Sequence, residues 1–376
     1  MHFRHLLIPF CLTVSGIILF FHFLGEPDSM LNLEVFRADP LSGNWSNTYL
    51  ESVVDHHLKE WTFSKRSIFT SCLLGVSSIF SISNSMSFLL CNAFLLVVNG
   101  YLIGRLALKF SNNIQAVFAS TTIFYLSFPI LFAFYPPVYT YEDLLQIAVI
   151  LASILFLVDQ KWLLFSVFIL MAILVRETTL FILPILLLYV NTQQKKKITL
   201  YLLIPAISGI LFWIITLSSS GSTIASRPAC LIFNFSDTPH IIETIFSLMC
   251  AFLPVWLISR FVRNAGAKRL FLLVFGVNAL IVLCFAYARE TRLFYLPIYF
   301  LIPMVDFDLK KISSLILVTQ LRVVLLFILI FSAAFTVIHL VYQPTIAQTS
   351  ELSFEIYASI ALTLVVLARI AFTFRS

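Results

Sequence analysis

The chain has 376 residues, of which 60% are apolar and only 11% are charged. Soluble domains carry about 25% charged residues, so this composition excludes a soluble globular protein and a disordered one. The net charge of +6 does not indicate nucleic-acid binding, because the basic residues form short clusters between long apolar runs. The sequence predicts an all-α integral membrane protein with a single polytopic domain over residues 1–376.

Twelve apolar runs follow one another along the chain. They lie at 5–24, 86–108, 114–135, 141–158, 161–175, 178–190, 198–217, 241–260, 270–288, 292–305, 313–341 and 354–373. These runs predict about 11–13 transmembrane helices. Nearly every basic cluster and both termini then lie in the cytoplasm, as the positive-inside rule requires. The expected location is the bacterial inner membrane, or the endoplasmic reticulum membrane in a eukaryote.

The first outer loop, at 25–67, contains a helix of another kind. From Thr48 to Trp61 apolar residues recur at helical spacing and charged residues take the opposite face. This pattern predicts an amphipathic juxtamembrane helix with Trp61 as its interfacial anchor. Earlier in the loop, Arg37 and Asp39 precede a proline that favours an extended chain, so their side chains can face the same way. In one interpretation, one of them holds a phosphate and the other acts as a base. In the other interpretation, the two residues form a local ion pair.

Glu142 and Asp143 stand at the outer mouth of a later span, next to aromatic and proline residues. Two carboxylates at such a place could take part in proton transfer. They could also stabilise the start of a helix, because acids in a first turn interact favourably with its positive end. The outer loop of the second half, at 218–240, is modest in length and has no comparable acidic pair.

A repeated segment is the most specific pattern in the chain. RETTLFILPILLL at 176–188 returns as RETRLFYLPIYFL at 289–301, with nine of thirteen positions identical. Each copy places an arginine and a glutamate at the outer start of a span. Free N–H groups and partial positive charge at a helix start, with an added arginine, suit a phosphate. Alternatively, the arginine anchors the helix at the membrane interface and the glutamate caps the helix.

The order of these features resembles the GT-C superfamily of polytopic glycosyltransferases, and it implies a GT-C-like bundle. The resemblance implies that a sugar moves from a polyprenyl-phosphate donor in the membrane lipid to a lipid or glycan acceptor at the periplasmic or lumenal face. It implies catalytic roles for Asp39, Glu142 and Asp143, with Asp39 as a metal ligand if a divalent cation is used. The expected lipid-phosphate and substrate-binding residues are Arg37, Arg176, Glu177, Arg289, Glu290 and Arg292.

Two other classes of function stay open. An O-antigen type polysaccharide polymerase has a similar length and also uses outer arginines, but it usually has a longer second-half outer loop than 218–240. A transporter or flippase would need ionisable residues or broken helices near the midplane of the bilayer. The predicted spans contain no charged residue that is clearly central.

The topology makes a labelling prediction. Single cysteines introduced as Asp39→Cys, Glu177→Cys or Glu290→Cys into a cysteine-free background should react with a membrane-impermeant thiol reagent added outside intact cells. Lys196→Cys should be spared, because its lysine cluster is expected in the cytoplasm. Labelling of positions 39 and 196 from the same side would contradict this topology.

Overall fold

The computed structural model describes residues 3–23, 48–59, 66–111, 113–133, 140–189, 195–219, 228–259, 265–288, 290–304, 321–346 and 352–373. Every regular element within these ranges is helical, in agreement with the predicted fold class. Four of the residues singled out above, Arg37, Asp39, Trp61 and Arg289, lie outside the described residues.

Most helices follow the predicted apolar runs, but Ser67–Phe80 and Pro228–Asn234 lie outside them, the second within the predicted outer loop 218–240. In chain order they are α1 (Phe3–Phe23), α2 (Thr48–Lys59), α3 (Ser67–Phe80), α4 (Asn84–Ser111), α5 (Ile114–Tyr125), α6 (Phe128–Leu131), α7 (Asp143–Val158), α8 (Trp162–Val175), α9 (Thr179–Ile182), α10 (Lys195–Ser219), α11 (Pro228–Asn234), α12 (Thr238–Ser259), α13 (Ala265–Phe285), α14 (Arg292–Leu301), α15 (Leu321–Ile346) and α16 (Leu352–Thr373). Short 3₁₀ segments extend α9 to Tyr189 and α14 to Met304. Two compact units divide these helices. The first contains α1–α3, α4 up to Leu106 and α7–α10, and the second contains the rest.

Among the described residues, four helices are long and apolar enough to cross a membrane. They are α4, residues Lys196–Thr216 of α10, α12, and residues Lys268–Phe285 of α13. The surface of α10 has the expected character, since Leu200, Leu203 and Ile204 are all more than half exposed. An apolar surface on this scale suits a helix in contact with lipid. The described part of the chain therefore has the architecture of an all-α membrane protein.

Helix α8 is the centre of the first unit, because it packs against both α7 and α10. The indole N–H of Trp213 in α10 donates to the carbonyl of Ile173 in α8 at 3.0 Å. Near the starts of the same two helices, Lys197 Nζ lies 4.9 Å from the centre of the Trp162 ring. Gly209 allows the close approach, because a Cβ at this position would lie 2.4 Å from Ile173 Cγ2.

The predicted span at 114–135 is interrupted, and two helices replace it. Helix α5 ends at Tyr125, and α6 starts after Ser127 with Pro129 in its first turn. A proline has no N–H to donate, and its ring crowds the carbonyl four residues earlier, so Pro129 favours a break between α5 and α6. The Ser127 hydroxyl donates to the Phe124 carbonyl at 2.6 Å and satisfies a group that the break exposes.

Buried amides join helices of the second unit. The Asn234 side chain at the end of α11 donates to the Leu283 carbonyl of α13 at 2.9 Å. The Asn278 side chain of α13 donates to the Leu293 carbonyl of α14, also at 2.9 Å. Both asparagines are at most 4% exposed. Hydrogen bonds of this kind satisfy backbone carbonyls that would otherwise be costly to bury.

A fully buried carboxylate lies inside the second unit. Glu355 in the first turn of α16 is 0% exposed, and its Oε2 lies 2.8 Å from His339 Nδ1 in α15. Sequence reasoning found no ionisable residue that was clearly central to a span, and it overlooked this pair. The pair joins two helices that pack along their length.

The contact at Gly209 predicts a stability change. Gly209→Ala should lower the melting temperature of the purified protein, because overpacking a closely packed helix contact costs about 1–3 kcal/mol. Gly75→Ala is the matched control, since a Cβ there meets nothing within 4 Å. The control should be neutral or stabilising, because alanine is favoured over glycine in a helix by about 1 kcal/mol. Equal melting temperatures for both variants would contradict the close packing of α10 on α8.

Candidate functional site

Five charged side chains of the first unit meet where three helices begin or end. Arg66 directly precedes α3, Glu142 and Asp143 stand at the start of α7, and Arg176 and Glu177 follow α8. Their side chains are between 5% and 23% exposed. We call these five residues the charged cluster.

Arg66 connects two carboxylates of the charged cluster. Its Nε donates to Glu177 Oε2 at 3.1 Å, and its Nη2 donates to Glu177 Oε1. Its Nη1 donates to Glu142 Oε1 at 3.0 Å. The contact with Glu177 is therefore bidentate, which is the strongest form of guanidinium–carboxylate pairing.

Arg176 forms the second half of the charged cluster. Its Nη1 donates to Asp143 Oδ1, and its Nε lies 3.6 Å from Glu142 Oε1. Glu142 thus lies within ion-pair distance of both arginines. The five side chains carry three negative and two positive charges, so ionised carboxylates outnumber guanidinium groups by one.

Polar side chains behind the charged cluster hold its elements together. Gln146 of α7 donates through Nε2 to the hydroxyl oxygens of Thr178 and Thr179, at 3.0 and 2.8 Å. Asn99 of α4 donates to the Leu144 carbonyl at 2.9 Å. These bonds connect the start of α7 to α4 and to the segment after α8. The positions of the charged groups therefore depend on three helices at once.

An aromatic stack extends from the charged cluster to the amphipathic helix α2. The ring of His57 stacks on Tyr141, with centres 3.6 Å apart and planes 14° from parallel. The Tyr141 hydroxyl lies 3.1 Å from Thr70 Oγ1 in α3. Burial raises the pKa of Tyr141 to about 12, so its hydroxyl stays protonated at neutral pH. The predicted surface helix thus contacts the residue that precedes Glu142.

The Arg66–Glu177 pair keeps both groups charged despite their burial. Burial alone would raise the pKa of Glu177, but the charge and hydrogen bonds of Arg66 lower it to about 2. Burial likewise opposes the charge on Arg66, yet the carboxylates of Glu177 and Glu142 raise the pKa of its guanidinium above the ordinary value. Glu177 is therefore a weak base while Arg66 holds it.

The structure brings together four of the site residues predicted from the sequence, namely Glu142, Asp143, Arg176 and Glu177. Arg66 joins them, a residue of the first outer loop that the sequence indicated only as an alternative place for the lipid phosphate. Its partner Glu177 is 111 positions away in the chain, so no local pattern could reveal the pair. The one signal was a positive charge on the side of the membrane that the positive-inside rule disfavours.

The second copy of the repeat has a different arrangement. In the second unit, Arg292 Nη2 donates to Glu290 Oε2 at 2.9 Å, two residues away in the chain. The first copy has Thr179 at the position of Arg292, and that hydroxyl donates to the Ala172 carbonyl at 2.9 Å. One substitution between the copies thus supplies a local partner for Glu290, whereas Glu177 pairs with the distant Arg66.

The charged cluster offers two chemical capacities. Guanidinium groups can bind a phosphate or carboxylate with two bonds, and carboxylates can accept a proton from a hydroxyl. Within the ranges that the structure describes, no three His, Cys, Asp or Glu side chains form a group that could hold a metal ion. The predicted divalent-cation ligand, Asp39, lies outside those ranges.

Comparisons of the chain with protein-family models, with curated proteins and with solved structures give no match. The geometry and chemistry of the charged cluster are therefore the basis for a functional proposal.

The lowered pKa of Glu177 predicts how stability depends on pH. A carboxyl group whose pKa falls from 4.5 to about 2 on folding stabilises the protein above pH 4.5, and this contribution is lost as the pH falls toward 2. The melting temperature of the wild type should exceed that of Glu177→Gln at pH 7, and the difference should shrink between pH 5 and pH 3.

The matched control for this measurement is Glu290→Gln, which removes the equivalent glutamate of the other repeat copy. Its behaviour separates the loss of this pair from the general effect of removing one acid. A difference between wild type and Glu177→Gln that stays constant down to pH 3 would contradict the strength assigned to the Arg66–Glu177 pair.

Proposed function

We propose that the protein is a membrane glycosyltransferase that moves a sugar from a polyprenyl-phosphate donor to a lipid or glycan acceptor. The proposed reaction takes place at the periplasmic or lumenal face of the bacterial inner membrane, or of the endoplasmic reticulum membrane in a eukaryote. The observation that carries this proposal is the charged cluster, in which buried arginines and carboxylates meet at the ends of apolar helices.

The cost of burial supports a functional role for the charged cluster. Removing ionised groups from water is unfavourable, and a buried ion pair often stabilises a protein no more than apolar residues of the same size would. Five such side chains in a chain with only 11% charged residues are therefore a costly arrangement. A lipid-linked substrate explains why the site belongs to a membrane protein, because the donor lipid stays in the bilayer.

The proposed reaction uses both chemical capacities of the charged cluster. An acceptor hydroxyl oxygen attacks the anomeric carbon of the sugar, and the bond from that carbon to the phosphate oxygen breaks. Glu142 or Asp143 takes the hydroxyl proton as general base. Arg176 neutralises the charge that develops on the departing lipid phosphate. Arg37, Asp39, Arg289, Glu290 and Arg292 stay predicted contributors to the same reaction.

Ion-coupled transport is a second candidate function, and the contact of the buried Glu355 with His339 favours it. Ionisable residues inside membrane helices often mark ion or proton pathways. Substrate-linked proton uptake into vesicles that contain the protein, abolished by Glu355→Gln, would support transport. The charged cluster has no evident role in such a mechanism, and for this reason transfer of a sugar is preferred.

Incubation of the purified protein with a panel of labelled polyprenyl-phosphate sugars tests the proposed function. We expect one donor to be consumed and its label to appear in a lipid or glycan product. Arg176→Lys should lower the turnover at least about tenfold, because lysine cannot reproduce the bidentate geometry of a charged hydrogen bond. Asp39→Asn and at least one of Glu142→Gln and Asp143→Asn should be comparably severe.

Arg105→Lys is the matched control for Arg176→Lys. Arg105 belongs to the same unit and donates to the Tyr101 hydroxyl at 2.8 Å, away from the charged cluster. The Arg105→Lys variant should keep normal turnover. Full activity in all three acid variants would exclude the assigned bases, and the absence of turnover with every donor would contradict the proposed function.

A further inference from the structure

We propose that Arg66 binds the donor phosphate alongside Arg176, and that the Glu177 carboxylate occupies this position on Arg66 until the phosphate displaces it. The identity of the phosphate as that of a polyprenyl-phosphate donor rests on the proposed function. The exchange itself rests on the contacts, charges and exposure of the charged cluster.

The geometry of the Arg66–Glu177 contact is the first argument. Two N–H groups of one guanidinium face both oxygens of one carboxylate, at Nε and at Nη2. A phosphate presents two oxygens to arginine in the same way, so a phosphate and a carboxylate compete for the same two N–H groups. Arg176 makes no such two-point contact, because only its Nη1 lies within hydrogen-bond distance of a carboxylate in the charged cluster.

The charges of the cluster are the second argument. With three carboxylates and two guanidinium groups, the five side chains already have a negative balance. A phosphate that simply joined them would add further negative charge in a region of low exposure, where repulsion is weakly screened. Release of one carboxylate from its arginine would offset this repulsion.

The exposure and backbone of the three acids identify Glu177 as the one that leaves. Its side chain is 23% exposed, compared with 14% for Asp143 and 5% for Glu142. Glu177 also belongs to the short segment between α8 and α9, whereas Asp143 is the first residue of α7 and Glu142 directly precedes that helix. Glu142 would keep its hydrogen bond from Nη1 of Arg66, while Nε and Nη2 exchange Glu177 for the phosphate.

The exchange would change the chemistry of Glu177 as well as its position. The pKa of Glu177 is held at about 2 by Arg66. A phosphate on Arg66 removes most of this effect, so the pKa of the released carboxylate rises and it becomes a better proton acceptor. Donor binding would thus activate a carboxylate next to the phosphate that has just arrived.

Phosphate binding by the purified full-length protein tests the exchange. Inorganic phosphate and a short-chain polyprenyl phosphate are titrated separately by isothermal calorimetry into wild type and Glu177→Gln. Because the variant lacks the competing anion, it should bind both probes at least about tenfold more tightly than the wild type. Arg66→Lys in the Glu177→Gln background should lose this gain. Melting temperatures verify that each variant is folded.

Asp159→Asn is the matched control, because it changes the net charge equally and lies at the other end of α7 from Glu142 and Asp143. Its affinities should equal those of the wild type. Equal affinities of Glu177→Gln and wild type for both probes would overturn the exchange. Tighter binding of inorganic phosphate alone would overturn the assignment of the lipid donor.

The outcomes separate this inference from the proposed function. Tighter phosphate binding by Glu177→Gln together with no transfer from any donor would leave the exchange intact and overturn the glycosyltransferase. Transfer by the wild type together with unchanged phosphate affinity in Glu177→Gln would leave the glycosyltransferase intact and overturn the exchange.

Discussion

Charges that are removed from water must neutralise one another, and the first unit is built around this constraint. Arg66 and Arg176 are satisfied only if the start of α3, the start of α7 and the end of α8 converge. Loss of one member would leave its partner buried and uncompensated, which costs more than the pair itself contributes. Gln146 and the contacts of α8 with α7 and α3 hold the three helix ends at the required places.

The sequence predicted the helices better than the site. Apolar runs determine where helices lie. The break at Ser127 departs from the predicted span, and Pro129 is the residue in the sequence that indicates it. The repeat and the outer acids indicated Glu142, Asp143, Arg176 and Glu177, because charged residues are scarce in this chain. Their pairing could not be predicted, since it depends on which helix ends meet in space. For the same reason the sequence indicated Arg66 only as an alternative phosphate-binding residue.

The repeat shows how similar segments acquire different surroundings. Both copies begin with arginine and glutamate, and a sequence comparison alone treats them as equivalent. The presence of Thr179 in one copy and Arg292 in the other decides whether the glutamate has an arginine close by in the chain. The first copy therefore depends on long-range structure, whereas the second forms a local pair. Equal motifs here do not imply equal chemistry.

The place of Arg66 directly before α3 has a further consequence. Glu142 and Asp143 at a helix start and Arg176 at a helix end all interact favourably with the helix dipoles, so local stability alone could explain them. Arg66 has the opposite sign for its place, and its side chain makes no capping hydrogen bond to α3. A serine or aspartate there would favour the helix by about 1 kcal/mol. Position 66 thus trades local helix stability for a charge that serves the other helices, and trade-offs of this kind are typical of sites under functional rather than structural selection.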